Sequence, residues 1–223
     1  MTLTRPGDLS NEHNTALIGV YGGTFDPIHY GHLRPALDVL SQLKLDHVRF
    51  IPCYQPVHRG LPQVSSAQRC EMIQMAIQNQ PNFVLDRREI ERQGPSYMVD
   101  TLRSLKADFP NAGLVLIMGT DAFAKFLSWY QWSDILELAN LAIMHRPGES
   151  LPNQGELAGL LQQRLVSKLM EAQGQIVEVE VTQLDLSATR LRDLMQHGEP
   201  IDYLMPPCVV KYIQTHHLYS KGN

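Results

Sequence analysis

Short apolar runs alternate with longer amphipathic stretches along the whole chain, and this alternation limits the available folds more than any other feature. Leu17-Ile18-Gly19-Val20-Tyr21 ends at a Gly-Gly pair, Val48-Arg49-Phe50-Ile51 at Pro52, and Leu114-Val115-Leu116-Ile117-Met118 at Gly119. Apolar runs this short, closed by glycine or proline, read as buried strands. Phe83-Val84-Leu85 and Leu141-Ala142-Ile143-Met144 read the same way. Ile176 to Val181 alternates apolar with acidic residues, which predicts an edge strand with one wet face. Between the strands, Leu33, Ala36, Leu37 and Leu40 recur at helical spacing. Ser65 to Gln68 forms a capping box that opens a helix with Met72, Ile73, Met75 and Ala76 facing inward. Ser96 opens another, with Val99, Leu102 and Leu105 along one side, and further helices are expected over 154–173, 187–196 and 206–216.

Strands alternating with helices in this way predict an α/β fold: a Rossmann-like, doubly wound parallel sheet with a helical C-terminal elaboration. At 43% hydrophobic and 19% charged, the 223 residues can bury a substantial core. Residues 1–15 read as a polar, mobile extension, and 16–223 as a single domain. No apolar run reaches the roughly 20 residues of a membrane span, and no leader-like segment precedes the first strand. Cys53, Cys70 and Cys208 form no CxxC pair, so they read as reduced thiols of a cytoplasmic protein. The net charge of −4 argues against a nucleic-acid partner, while leaving room for a small anionic substrate at a locally basic site. The oligomeric state is open.

The segment Gly22-Gly23-Thr24-Phe25-Asp26-Pro27-Ile28-His29-Tyr30-Gly31-His32 follows the first strand directly. In a parallel sheet, ligands sit beyond the carboxyl ends of the strands. Two glycines allow the backbone to approach a phosphate, and Gly31 falls near a helix start, where free N–H groups favour an anion. The segment is neither a GxGxxG turn nor a P-loop, since no lysine follows it. His29 and His32 can aim at one point and donate to phosphate oxygens. The alternatives are satisfied or surface histidines, or a zinc site, which lacks the further ligands it would need. A second segment, Leu186-Ser187-Ala188-Thr189-Arg190-Leu191-Arg192, offers Ser187 as a helix cap and Arg192 as a two-pronged phosphate ligand. Standing alone, it would read as an ordinary capped surface helix.

Together the two segments resemble the paired signatures of the nucleotidyltransferase superfamily, (G/T)xFDPxHxGH and (I/L)S(S/A)TxxR, in the same order and at similar separation. Between them, Pro56-Val57-His58-Arg59, Pro95-Ser96-Tyr97-Met98-Val99-Asp100-Thr101-Leu102, Gly119-Thr120-Asp121, Trp129-Tyr130 and His145-Arg146-Pro147-Gly148 resemble segments of one branch, the nicotinate-nucleotide adenylyltransferases. Met98 stands where that branch usually has threonine, Val57 replaces a proline and His145 replaces an arginine.

The resemblance implies an ATP site of Gly22, Gly23, Thr24, Phe25, His29, His32, Gly119, Asp121, Ser187, Thr189 and Arg192. His29, His32 and Arg192 would meet the charge that develops in the transition state. It implies a nicotinate mononucleotide site of Thr24, His58, Arg59, Tyr97, Met98, Val99, Asp121, Trp129, Tyr130 and Arg146. There Trp129 would stack on the pyridine ring, and amides near Val99 and Tyr130 would receive its carboxylate. Magnesium would arrive with ATP rather than in a cage of side chains. Rival readings are a related transferase with pantetheine phosphate, glycerol phosphate or nicotinamide mononucleotide as acceptor, and a non-catalytic nucleotide sensor.

Overall fold

The computed structural model describes residues 16–57, 60–145, 151–182 and 184–220. The expectation for residues 1–15 lies outside them. Every strand predicted from the sequence is present: β1 (Leu17–Gly23), β2 (His47–Pro52), β3 (Phe83–Leu85), β4 (Gly113–Gly119), β5 (Asn140–His145) and β7 (Ile176–Glu180), with a two-residue β6 (Leu165–Val166) added. They form one parallel sheet in the order β3-β2-β1-β4-β5-β7-β6. Alternate residues of β4 feed two separate apolar clusters. Leu114, Leu116 and Met118 join one; Val115 and Ile117 join the other. Burial on both faces is what the uninterrupted apolar run of β4 requires.

The helices divide between the two faces. α1 (Tyr30–Gln42), α2 (Ser66–Ile77), α8 (Ala188–Gln196) and α9 (Pro207–Thr215) pack Val39, Met72, Leu191 and Val209 against one. α4 (Met98–Asp108), α6 (Trp132–Leu136) and α7 (Gly155–Arg164) pack Leu102, Ile135 and Leu161 against the other. Among the described residues, no helix is long and apolar enough to cross a membrane.

The chain leaves β1 for β2 and β3 on one side, then returns to place β4 on the other. β1 and β4 pair only from Leu17–Gly113 to Val20–Leu116. Beyond that, Tyr21–Gly23 stay with β2 and Ile117–Gly119 stay with β5, so the two strands part at their carboxyl ends. Such a parting is where open α/β sheets hold their ligands.

Three expectations are corrected. The helix foreseen over 154–173 ends at Arg164. Gln175 Oε1 accepts the amides of Met170 and Glu171 at 2.7 and 3.0 Å, and Asn140 Nδ2 donates to the Glu171 carbonyl at 2.8 Å. Side chains thus take the backbone groups that a continuing helix would pair internally. β7 is not the outermost strand, although β6 covers only Ile176 and Val177, and Glu178 and Glu180 point to solvent as the alternation predicted. Ser96 does not cap α4, whose N-cap is Tyr97. Its hydroxyl instead accepts the amides of Tyr54 and Gln55 at 2.9 and 3.3 Å. The capping box of α2 is present, with Ser65 Oγ accepting from Gln68 N and Gln68 Oε1 from Ser65 N.

Asp86, after β3, joins α4 to the sheet through a short helix α3 (Arg88–Arg92). Its Oδ2 accepts from Arg49 Nε at 2.7 Å and Arg88 Nε at 2.8 Å, and Arg88 reaches on to Ser104 and Asp108 of α4. Burial pushes the Asp86 carboxyl up, and the hydrogen bonds from Arg49 and Arg88 reverse this and hold it below its ordinary value. A depressed folded pKa stabilises above the ordinary carboxylate range, and that stability is lost as pH falls through the folded value. Asp86→Asn should therefore lower the unfolding free energy in urea by about 3 kcal/mol at pH 7, with the gap to wild type closing under strong acid.

Candidate active site

The cradle is built at the end of β1. A Cβ on Gly22 would lie 2.5 Å from Met98 Cε, so a side chain there would displace the Met98 methyl from the cradle. Phe25 has φ of 49°, uncommon for a bulky residue. It is held there by its buried ring, which packs edge-on against Tyr21 at 5.7 Å and His32 at 5.1 Å. Among the described residues, the amides of Thr24 and Phe25 donate to no acceptor, while the Gly23 carbonyl accepts from Cys53 N at 2.9 Å.

His29 is the N-cap of α1, and His32 stands one turn on, with ring centroids 3.8 Å apart. His32 Nδ1 accepts from the His29 amide at 3.3 Å. His29 is 3% exposed, and its Nδ1 is buried without a hydrogen-bond partner among the described residues. Burial lowers its pKa to about 4, so in the unliganded protein it is a neutral imidazole at neutral pH.

The second segment folds onto the first. Ser187 caps α8, accepting from Arg190 N at 3.2 Å. Arg192 Nη1 donates to the Asp26 carbonyl at 2.7 Å, and Nη2 lies 3.4 Å from Thr189 Oγ1. A Cβ on Gly31 would lie 2.9 Å from the His29 ring and 3.2 Å from Leu186 Cβ, so Gly31 marks the seam between the segments.

The opposite wall comes from the far side of the parting. Gly119 ends β4, and a Cβ there would lie 2.9 Å from Asp121 Oδ1. The Tyr97 and Tyr130 rings lie 4.6 Å apart, tilted by 40°, and half-buried Trp129 packs on Phe126 at 5.8 Å. The amides of Val99 and Tyr130 donate to no acceptor among the described residues. Met98 reaches across to Gly22. Thus Met98 is brought against the cradle, Tyr97 beside it meets Tyr130, and Trp129 precedes Tyr130, whereas His58, Arg59 and Arg146 lie outside the described residues. His145, at the end of β5, faces Glu178 at 3.7 Å. No three or more His, Cys, Asp or Glu among the described residues group closely enough to hold a metal.

Three residues given no role from the sequence turn out to support the cradle. Asp26 is 4% exposed; its carboxylate accepts the Tyr219 hydroxyl at 2.7 Å and the Gln63 amide at 2.8 Å, with Arg192 Nη1 3.9 Å away. Burial, then the Asp26 carboxylate, raises the pKa of Tyr219 and keeps it protonated as the donor. Arg69, on α2, donates to the Thr24 and Cys53 carbonyls, both at 2.7 Å. Asp26 lies within the first segment and could have been weighed; nothing local marks Arg69 or Tyr219.

The cytidylyltransferase-like family model matches residues 20–194, and with it the fold and both segments define a nucleotidyltransferase. A probable nicotinate-nucleotide adenylyltransferase of Hydrogenovibrio crunogenus is 59% identical over 204 residues, covering 92% of this chain and 98% of that relative. One of Dechloromonas aromatica is 44% identical, with 92% and 98% covered. The chain belongs to the nicotinate-nucleotide adenylyltransferase family. Its fold is shared with Plasmodium falciparum nicotinic acid mononucleotide adenylyltransferase complexed with NaAD, at a TM-score of 0.71 and 20% identity, covering 92% of this chain and 97% of that one.

The histidine pair gives a direct expectation. A lowered folded pKa means that His29 contributes full stability above its ordinary value near 6.5, lost as pH falls toward about 4. The loss is on the order of 3 kcal/mol. NMR titration of the unliganded protein should show the His29 ring unprotonated at pH 6, and a His29→Gln variant should lack this part of the acid sensitivity.

Proposed function

We propose that the chain transfers AMP from ATP to nicotinate mononucleotide, giving nicotinate adenine dinucleotide and pyrophosphate, a cytoplasmic step of NAD biosynthesis. Residues 16–223 act as one transferase domain in this reading. One observation carries it: the Asp26–Arg192 contact joins both signature segments into one pole of a cleft whose other wall offers aromatic rings and amides with no acceptor among the described residues.

A phosphate oxygen of the mononucleotide attacks the α-phosphorus of ATP in line. A phosphorus–oxygen bond forms as the bond to the bridging oxygen breaks, and pyrophosphate leaves with the electron pair. The nucleophile is already anionic, so no general base is needed. Catalysis is positioning together with stabilisation of developing charge.

The Thr24 and Phe25 amides, beside Gly22 and Gly23, receive the triphosphate with the capped start of α8 at Ser187 and Thr189. His29, neutral through burial, and His32 offer ring N–H donors where charge develops. Arg192 has committed two of its five N–H donors to Asp26 and Thr189, which aims the rest of its fork. Gly119 and Asp121 bound the ribose region. Nitrogen donors outnumber carboxylates at the cradle, which fits magnesium held by ATP oxygens and water, where it offsets charge on the leaving pyrophosphate.

On the acceptor side, Trp129 stacks on the pyridine ring beside Tyr97, and the Val99 and Tyr130 amides receive its carboxylate, favouring the acid over the amide. Met98 closes the floor over Gly22. His58, Arg59 and Arg146 join the site on the resemblance alone.

Pyrophosphate release with ATP and each mononucleotide in turn tests the reading. Release should be faster with the nicotinate form; faster release with the amide form would overturn the acceptor, and none with either would overturn the activity. His32→Ala should lower kcat by roughly a hundredfold in a folded protein. Trp129→Ala should raise the KM for nicotinate mononucleotide by about tenfold or more while leaving that for ATP near wild type.

A further inference from the structure

Arg69 is fully buried, yet among the described residues no carboxylate lies within ion-pair distance of it. Its Nη1 donates to the Thr24 carbonyl at 2.7 Å, and its Nη2 to the Cys53 carbonyl at 2.7 Å and Ser66 Oγ at 3.1 Å. Nε is buried without a partner. A buried cation without a contact ion pair is costly, and neutral carbonyls with the more distant Asp26 and Glu89 carboxylates offset only part of that cost. The location of this one, directly behind the phosphate loop, indicates what offsets the rest.

The geometry of the peptide group supplies the link. Within one trans peptide, the C=O and the following N–H point in opposite directions. Arg69 draws the Thr24 carbonyl back toward α2, so the Phe25 N–H is turned outward. Cys53 N draws back the Gly23 carbonyl at 2.9 Å, which turns the Thr24 N–H the same way. The Cys53 carbonyl, at the fixed end of β2, anchors the guanidinium while it holds the loop. Two successive amides without an acceptor among the described residues, the second on a residue at positive φ, form an anion-binding concavity.

We propose that Arg69 is a positioning residue for ATP: it fixes the Thr24–Phe25 peptide so that the Phe25 amide faces the triphosphate beside that of Thr24, and it places a positive charge behind them. It does not touch the substrate. The inference rests on the proposed adenylyltransferase reading, and the test separates the two.

Binding of a non-hydrolysable ATP analogue to the full chain is measured by calorimetry for wild type, Arg69→Met and Arg69→Lys, alongside melting temperature and both KM values. Arg69→Met should bind the analogue about tenfold more weakly, equivalent to about 1.4 kcal/mol. Its KM for ATP should rise by a similar factor, and its KM for nicotinate mononucleotide should change little. Arg69→Lys, which keeps the charge but loses the two-carbonyl grip, should fall between. Folded Arg69→Met that binds the analogue as wild type does, with only a lower melting temperature, overturns the proposal. If that variant does not fold, Arg69→Lys decides: wild-type affinity overturns it, and weaker binding of about threefold supports it. Wild type that binds the analogue but releases no pyrophosphate with nicotinate mononucleotide defeats the acceptor assignment and leaves this test intact.

Discussion

Asp26 is where distant parts of the chain are held to the phosphate loop. Its carboxylate accepts from Tyr219, near the far end of the described chain, and from the Gln63 amide ahead of α2, while its carbonyl accepts from Arg192 on α8. A carboxylate at 4% exposure is tolerable only with its lone pairs satisfied, and these contacts satisfy them. The loop therefore owes its shape to α2, α8 and the segment after α9 as much as to β1. Arg69 adds a second attachment from behind, at Thr24. The result is a pair of backbone donors with little freedom to reorganise, which is what charge stabilisation in a transition state requires.

The two walls of the cleft are made by different means. On the side of the two signature segments, the charged groups are tied down by backbone carbonyls, and His29 is kept neutral by burial. On the other side the surfaces are aromatic, with Tyr97 against Tyr130 and Trp129 against Phe126, and the polar groups are main-chain amides. The parting of β1 from β4 sets these walls opposite one another, and that follows from strand order rather than from any residue within the site.

What could be read from the chain follows the range of the forces involved. Strands such as Leu114–Met118 and the Ser65–Gln68 box carry local signals, and the structure bears them out. The two signature segments identified the family, and Arg192 and Gly31 show how they meet. Side chains acting across the chain left no such signal. After α7, Leu165–Val166 pair with β7 and Gln175 and Asn140 capture the backbone of Met170 and Glu171, and Ser96 serves the 54–55 turn rather than its own helix. Arg69 looks like any polar residue early in an amphipathic helix until its hydrogen bonds to Thr24 and Cys53 are seen. In each case the partner lies far away in sequence or depends on how a turn closes, which propensity and periodicity do not encode.

Gly31 has a wider meaning than its place in a motif. The imidazole of His29 lies against its α-carbon, and Leu186 closes the space from the other segment. One added methyl group would wedge the ring and the second segment apart together. The two signature segments thus meet across a gap too narrow for one more carbon, and a mutation there would be felt on both sides at once.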